Sequence, residues 1–379
     1  MKTLIILCCF LSAFQLCGQT DSTAYRKINF NGDFRFRVEH DWNSRNADGN
    51  LRNDRSRLRY RFRFGLEYVS DQHSSFGGRL RSGNLNDQQG PHVTLGGNTG
   101  EFRLVSIGLE KLYYQFKSKH FTGFVGKNSI PLTKMNEMFW NDNVFPEGIG
   151  MRYTKRFSGA AALQKISLHG GHFIIRSNNL SFALDSYLQI AQITTTWRDG
   201  RVKIFPGFYY FNDVGNLPDE KQTFTIDYTI AHLGVQLALD RNKQRKVEAE
   251  IYHNLQDYTA NDSIPAALQN QNTGIVLGLR CGSLKQRGNW LVYLSYVRLQ
   301  KYAVVDYFAQ NDWARWDYSS VGATGARLTN LHGTELKIGY AVKQNFNLNV
   351  RFYLVEQLVK IGQFKETGSR IRLDMNVKF

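Results

Sequence analysis

The chain has 379 residues, of which 42% are hydrophobic, and its formal net charge is +16. No apolar run reaches the roughly 20 residues that a membrane-spanning helix needs, and helical heptads are absent, which excludes helical membrane proteins and coiled coils. A mean hydropathy of −0.40 does not exclude a membrane β-barrel, because only every second residue of its strands touches lipid.

The N-terminus has the features of a secretory signal peptide. Lys2 supplies the positive charge, residues 4–14 form an apolar core, and Gly18 is a small residue that suits a cleavage site. We expect cleavage after Gly18, with cleavage after Ala13 as the alternative. Export argues against nucleic acid as the partner of the basic surplus.

The mature chain would retain a single cysteine, Cys281, because Cys8, Cys9 and Cys17 lie in the predicted signal peptide. An internal disulfide is then impossible, although an export compartment would allow one to form. The fold must therefore rest on burial or on a closed ladder of hydrogen bonds.

Strict alternation of apolar and polar residues predicts β-strands along the mature chain. In residues 57–68 every even position is apolar or aromatic, and the odd positions from Arg57 to Arg63 are all arginine. This period of two is far from helical spacing. Residues 28–39 repeat the pattern. The further predicted strands are 75–84, 104–117, 120–128, 149–157, 163–176, 182–197, 201–212, 223–239, 245–257, 273–282, 289–303, 332–343, 346–355 and 369–379.

Connector length also alternates along these sixteen strands. Links after even-numbered strands are mostly short, and links after odd-numbered strands are mostly long, with 177–181 as the short exception. Outer-membrane barrels have short periplasmic turns and longer external loops. We therefore predict an all-β fold, a transmembrane antiparallel up-and-down β-barrel of about 16 strands (18 being possible), in the cell outer membrane. The predicted domains are a signal peptide over 1–18 and the barrel over 19–379.

Arginines concentrate on the polar face of four strands that would be neighbours in a closed barrel. The last strand must pair with the first, since an open sheet edge cannot remain in lipid. Rows of arginine favour anions in a water-filled pore. The alternative is that they pair with acidic residues such as Glu39, Glu67, Glu335 and Asp374, and only hold the shape of the barrel. The predicted pore-lining residues are Arg35, Arg37, Arg57, Arg59, Arg61, Arg63, Arg79, Arg81, Arg370 and Arg372.

The third long connector, residues 129–148, is unusually apolar for a loop exposed to water. It contains Met135, Met138, Phe139 and Trp140. A constriction loop folded into the lumen would account for these residues, and so would an external lid or a trimer contact. In the infolded case the residues that shape the constriction would be Lys134, Asp142 and Glu147.

Aromatic residues make up 13% of the chain and cluster near predicted strand ends, as at 209–211 and 290–293. Girdles at the two membrane interfaces account for such clusters. Sugar stacking inside a pore would need inward-facing rings, so we favour the girdle.

The sequence contains no lipase-type, zinc-protease or P-loop motif, so we expect no enzyme activity, cofactor or metal. His169 and His172 are closely spaced but lack a further ligand. A barrel hydrolase whose serine and histidine meet from neighbouring strands stays open as an alternative.

Several segments resemble the bacterial outer-membrane putative porin family, which is related to the phosphate-selective porins. The segments that carry the resemblance are 32–37, 55–63, 140–148, 290–308 and 333–341. Asn141 and Asn143 depart from it, because more acidic residues are expected there. The resemblance extends in patches over most of the mature chain and implies a porin.

The sequence thus predicts an outer-membrane porin that gives passive diffusion to small hydrophilic solutes and prefers anions through an arginine-lined lumen. The expected partners are outer-membrane lipid, small anionic or polar solutes, and the barrel-assembly machinery through the C-terminal strand, with a homotrimer as an option. A non-conducting structural or ligand-binding barrel is the alternative.

Overall fold

The computed structural model of this chain describes residues 26–97, 101–102, 104–158, 162–218, 222–313 and 328–379. The predicted signal peptide lies outside these residues and stays a prediction. Within the described ranges, no helix is long and apolar enough to cross a membrane. The helical segments there are a single turn at Ala266–Gln269 and 3₁₀ turns at Phe182–Leu184 and Asp306–Phe308.

Strands dominate the fold, and each of the sixteen predicted strands is present. The strands are β1 Lys27–Trp42, β2 Arg55–Val69, β3 Ser74–Ser82, β4 Val93–Thr94, β5 Ile107–Lys117, β6 Phe121–Lys127, β7 Glu147–Arg156, β8 Leu163–Arg176, β9 Ser186–Trp197, β10 Val202–Gly215, β11 Thr225–Ala238, β12 Arg245–Asn254, β13 Thr273–Gly282, β14 Trp290–Leu299, β15 Leu331–Lys343, β16 Phe346–Gln357 and β17 Thr367–Lys378. The predicted strand 182–197 begins only at Ser186, because Ser181 caps a 3₁₀ turn through its hydroxyl.

Sixteen of these strands form one closed antiparallel barrel, in which β17 pairs with β1. The additional strand, β4, pairs with Arg59 and Tyr60 of β2. It fits there because β3 has nine residues and β2 has fifteen, so that β3 pairs only with Arg63 to Val69 of β2. A closed ladder leaves no sheet edge open to lipid. The predicted fold class is confirmed.

The barrel closes at a long seam between β1 and β17. The paired residues of β1 run from Asp33 to Trp42. Beyond them, Gly32 and the C-terminal Phe379 exchange backbone hydrogen bonds of 2.8 and 3.1 Å. A Cβ atom on residue 32 would lie 2.5 Å from the Phe379 ring. Glycine therefore lets this ring lie directly on the first strand.

Short turns lie at one end of the barrel, here named the turn end, and long loops lie at the other, the loop end, as predicted. The turn-end connectors are 70–73, 118–120, 157–162, 198–201, 239–244, 283–289 and 344–345. The loop-end connectors are 43–54, 83–106 (which includes β4), 128–146, 177–185, 216–224, 255–272, 300–330 and 358–366. Residues 98–100, 103, 219–221 and 314–327 of these connectors lie outside the described residues.

Side chains alternate between an apolar outer face and an inner face along each strand. On β2, Leu58 and Leu66 are exposed on the outer face, whereas Arg61 and Arg63 are buried on the inner face. The main cluster of buried hydrophobic side chains lies inside the barrel, on the inner wall of β6 and of β8 to β16 and beneath loop-end connectors. These connectors leave a cavity beside the opposite wall.

Candidate pore lumen

A cavity of about 1320 Å³ lies inside the barrel, and seventeen basic but only seven acidic side chains line it. The lining arginines are Arg35, Arg37, Arg55, Arg57, Arg59, Arg61, Arg63, Arg280, Arg351, Arg370 and Arg372, and the lining lysines are Lys134, Lys203, Lys246, Lys285, Lys337 and Lys378. The lining acids are Asp33, Asp87, Glu137, Asp142, Glu248, Asp312 and Asp374. The surplus of cations is the main electrostatic property of this cavity.

Strand register places the arginines of β1, β2 and β17 side by side. Three successive inward positions of β1 each lie between one residue of β17 and one of β2. These positions are Arg35 between Asn376 and Arg61, Arg37 between Asp374 and Arg59, and Glu39 between Arg372 and Arg57. Carboxylates among the arginines allow the guanidinium groups to pack closely, through charge-assisted hydrogen bonds.

Glu39 is fully buried and contacts three arginines. Its Oε2 accepts a hydrogen bond of 2.7 Å from Arg372 Nε and lies 4.0 Å from Arg59 Nη1, while its Oε1 contacts Arg57. A buried carboxylate requires partners of this kind to offset its lost hydration. Because one carboxylate is shared by three guanidinium groups, this pairing leaves positive charge in excess.

Neighbouring arginines differ in the charge of their partners. Arg37 forms a bidentate pair with Asp374, with hydrogen bonds of 2.6 and 3.0 Å. Arg35 instead donates to the amide oxygen of Asn376 at 2.6 Å. The pairing that the sequence offered as the alternative role is therefore present at Glu39 and Asp374, and Asp33, Glu110 and Asp41 pair in the same way with Arg61, Arg63 and Arg370. The shared carboxylate of Glu39 and the uncharged partner of Arg35 leave the pairing incomplete.

Asp312 reaches this cluster from the connector between β14 and β15. Its Oδ1 contacts Arg372 Nη1 and lies 3.8 Å from Arg37 Nη1, and its Oδ2 lies 3.8 Å from Arg351 Nη1. Burial disfavours the ionised carboxyl, but Arg372, Arg37 and Arg351 outweigh it and hold the pKa of Asp312 well below its usual range. The carboxyl is therefore ionised at neutral pH.

Eight of the ten arginines named from the sequence line the cavity, and Arg79 and Arg81 do not. Arg79 donates to Glu110 at 2.7 Å and lies over the ring of Phe145 at 4.9 Å. Arg81 is buried and donates to the carbonyl oxygen of Asp87 at 2.7 Å. Both face inward, and loop-end connectors cover them.

Residues 128–146 fold into the barrel, which decides between the infolded loop and an external lid. Phe139 stacks on Tyr209 at 4.4 Å and on Tyr252 at 5.7 Å between ring centroids. The backbone N–H of Thr133 donates to Gln192 Oε1 of β9 at 2.7 Å. Of the four apolar residues that the sequence singled out, Met138, Phe139 and Trp140 are buried, and Met135 lines the cavity.

The three constriction residues named from the sequence lie in two places. Lys134 and Asp142 belong to the infolded connector and line the cavity. Glu147 is the first residue of β7 and shares the outer face with Ile149, where it pairs with Lys127 at 2.7 Å. The parity of the strand takes Glu147 away from the lumen, so it does not line the cavity.

Tyr209 and Phe211 are not part of an interface girdle, contrary to the sequence interpretation. Both face inward and are buried, and Phe139 lies against both rings. Tyr210 lies between them in the chain and occupies the opposite face of β10. Inward aromatic rings are tolerated here because the infolded loop covers them.

Several lining residues were not among those named from the sequence. Arg351 and Lys337 follow the same alternation as the named arginines. Each is next in the chain to an outward-facing residue, Val350 or Ile338, and so faces inward. The alternation in the sequence could therefore have predicted both. Asp312 had no such signal, because it lies in a connector.

His169 and His172 do not form a pair. His169 is buried on the inner face, where its Nδ1 lies 2.7 Å from the carbonyl oxygen of Pro131 in the infolded loop. His172 is on the opposite face of β8, near Gln189 and the ring of Tyr187. Among the described residues, no group of three or more His, Cys, Asp or Glu side chains could hold a metal ion.

Solved structures of several outer-membrane proteins share this fold. OprB of Pseudomonas putida at high pH superposes with a TM-score of 0.55 at 12% identity, over 93% of this chain and 94% of that chain. OmpF of Salmonella typhi with daunomycin gives 0.53 at 12% identity, over 93% and 98%. A loop-deleted OmpT, an outer membrane protein of Vibrio cholerae, gives 0.50 at 10% identity, over 94% and 100%.

A comparison with curated protein sequences finds no match. A family model described as Putative porin matches residues 45–232 and 227–379, which is most of the chain. The fold of this chain, with sixteen strands closed around a charged cavity, agrees with this match. The chain therefore belongs to the putative porin family and is a protein of the outer membrane.

Proposed function

We propose that this porin passes small hydrophilic solutes by passive diffusion and prefers anions. The observation that supports the proposal is the surplus of basic over acidic side chains around the cavity. A cavity lined by one sign of charge and enclosed by a low-dielectric wall raises the local concentration of the opposite ion. Cl⁻ and small organic anions would enter more readily than K⁺.

The position of the arginines supports a water-filled lumen over a dry core. Facing lipid at the bilayer centre, each arginine would cost about 2–4 kcal/mol. Inside the barrel, Arg35 and Arg59 keep their charge at lower cost if water reaches them. Both arginines are weakly paired, since Arg35 donates to the amide of Asn376 and Arg59 lies 4.0 Å from the carboxylate of Glu39. Their charges therefore give the lumen a positive field.

Basic side chains line the cavity from its loop end to its turn end. The arginines of β1, β2 and β17 occupy the middle of the barrel and its loop end. Near the turn end the lining changes to lysine, with Lys203, Lys246, Lys285 and Lys378. In a porin the turn end faces the periplasm, so an anion that leaves the arginines would meet further cations before it exits.

Reconstitution of the folded full chain in planar bilayers tests the proposal. We expect an ohmic current and, in a KCl gradient, a reversal potential of the sign given by Cl⁻ preference. A reversal potential of the opposite sign would overturn anion preference. No current at all from folded protein would favour the closed ligand-binding barrel, and lipase or protease activity in detergent would favour a barrel hydrolase.

We also propose that the C-terminal strand is the recognition element for barrel assembly. The support for this proposal is that Phe379 lies on Gly32 at the seam and its side chain is exposed there. Deletion of Phe379 should lower the amount of folded protein in the outer membrane. The homotrimer stays a prediction.

A further inference from the structure

The carboxyl group of Asp312 occupies the most basic part of the cavity wall, although it belongs to a connector and not to a strand. Nη1 of Arg372 contacts it, and Nη1 of Arg37 and Nη1 of Arg351 each lie 3.8 Å from one of its oxygens. Arg370 Nη1 donates to the backbone carbonyl of the same residue. Asp312 is still 24% exposed, so solute in the cavity can reach this position.

The segment around Asp312 is held by contacts of its neighbours in the connector. The backbone N–H groups of Asp312 and Trp313 donate to Gln310 Oε1, each at 2.7 Å. The Trp313 ring meets Tyr353 edge-on, with 5.7 Å between centroids. Asn311 donates to the carbonyl oxygen of Gln89 at 2.9 Å. These contacts aim the carboxyl at the arginines without a strand to fix it there.

Other donors of Arg37 and Arg372 are engaged by carboxylates of the barrel wall. Nε and Nη2 of Arg37 are bound to Asp374. Nε of Arg372 is bound to Glu39. Arg351 Nη1 also donates to Tyr353 Oη at 3.2 Å and lies 3.5 Å from Glu335 Oε1. One nitrogen from each arginine lies within 4 Å of the Asp312 carboxyl group, two of them at Oδ1 and one at Oδ2. Such a set matches a planar group with two oxygens better than a tetrahedral anion with more oxygens to satisfy.

We propose that Arg37, Arg351 and Arg372 form a binding site for the carboxylate of a small organic acid, and that Asp312 occupies it as a tethered competitor. The proposal rests on the anion-conducting function above and names its solute class. A tethered group acts at an effective concentration in the millimolar range or above. A solute therefore binds only in the fraction of molecules in which Asp312 has left, and its apparent affinity falls by that fraction.

The test measures block of the Cl⁻ current by sodium succinate in planar bilayers at neutral pH. In wild type the half-blocking concentration should be high. Asp312→Asn should lower it by about tenfold, because the competitor loses its charge. Adding Arg351→Gln to Asp312→Asn should raise it again by at least fivefold. Asp142→Asn is the matched control, because Asp142 lines the same cavity but pairs with Lys134 instead of an arginine.

The outcomes separate this inference from the proposed function. If the wild-type reversal potential shows Cl⁻ preference but Asp312→Asn and Asp142→Asn shift succinate block equally, the carboxylate site is refuted and the anion-selective porin stands. Tighter block of Asp312→Asn by sodium phosphate than by succinate would refute the solute class. Asp312→Ser is a second variant for the same measurement of succinate block. Heat-modifiable mobility in electrophoresis verifies that each barrel is folded.

Discussion

Two sectors of the inner wall differ in what lies against them. On β17, β1 and β2, together with Arg351 of β16, the inward side chains are mainly arginines and carboxylates beside the cavity, and we name this sector the charged wall. On β9 to β12, inward side chains such as Tyr209, Ile230 and Tyr252 are buried beneath residues 128–146, and we name this sector the aromatic wall. One sector is open to the cavity and the other is covered.

The same alternation of side chains builds both walls, so alternation reports which face a residue occupies but not what surrounds it. Charged groups need water or counter-charges, whereas aromatic groups are stabilised by removal from water. The infolded loop covers the aromatic wall. The cavity is thereby displaced toward the arginines, so a solute that follows the proposed path would pass beside them.

The strongest test of the charged wall is Glu39→Gln. Arg57, Arg59 and Arg372 would lose their shared buried carboxylate, so the free energy of unfolding should fall by about 3–5 kcal/mol. Urea unfolding of the purified barrel, followed by fluorescence, measures the change. Glu67→Gln is the control, since Glu67 accepts a hydrogen bond from a serine hydroxyl, that of Ser75. Equal losses in the two variants would contradict the role given to Glu39.

The corresponding test of the aromatic wall is Phe139→Ala. Loss of this buried ring should weaken docking of residues 128–146 by about 3 kcal/mol. Trypsin should then cut after Lys134 about 100-fold faster, because 1.4 kcal/mol corresponds to a factor of ten. Phe182→Ala, at a side chain that is 90% exposed, is the control. Unchanged protection of Lys134 would show that the aromatic wall does not hold the loop.

A smaller effect is expected when charge is removed without breaking a close ion pair. Arg35→Gln together with Arg59→Gln should lower the Cl⁻ to K⁺ permeability ratio by about threefold at moderate salt, where screening limits the field. The reversal potential in a KCl gradient measures it. Lys155→Gln removes a charge from the outer face of β7 and should leave the ratio unchanged. A similar shift in both would mean that the ratio reflects total charge and not the charged wall.

The smallest effect concerns pH. The arginines depress the pKa of Asp312 in the folded state, so its contribution to stability is present above the unfolded value of about 4 and is lost only as pH falls through the lower folded value. The difference in unfolding free energy between wild type and Asp312→Asn should therefore be the same at pH 7 and pH 5. A difference that shrinks at pH 5 would mean that the arginines do not hold this carboxyl.

Much of the barrel could be read from local pattern. Alternation over residues 57–68 predicts both the strand and the inward face of its arginines, because successive side chains of a strand point to opposite faces. The same rule applied to Lys337 and Arg351 would have added them to the pore. Closure between β1 and β17 follows from the need to leave no open edge in lipid.

The connectors could not be read in that way, since no period constrains them. Whether Phe139 lies inside the barrel depends on Tyr209 and Tyr252, which are more than 60 residues away in the chain. The face that Glu147 occupies could be predicted only with the true start of β7, because a shift of one residue reverses the face. Asp312 meets arginines of β1, β16 and β17 only in the folded chain, because its position depends on contacts between distant segments. The arginines of the charged wall thus follow from the strand pattern, whereas the position of the Asp312 carboxylate among them follows from tertiary packing.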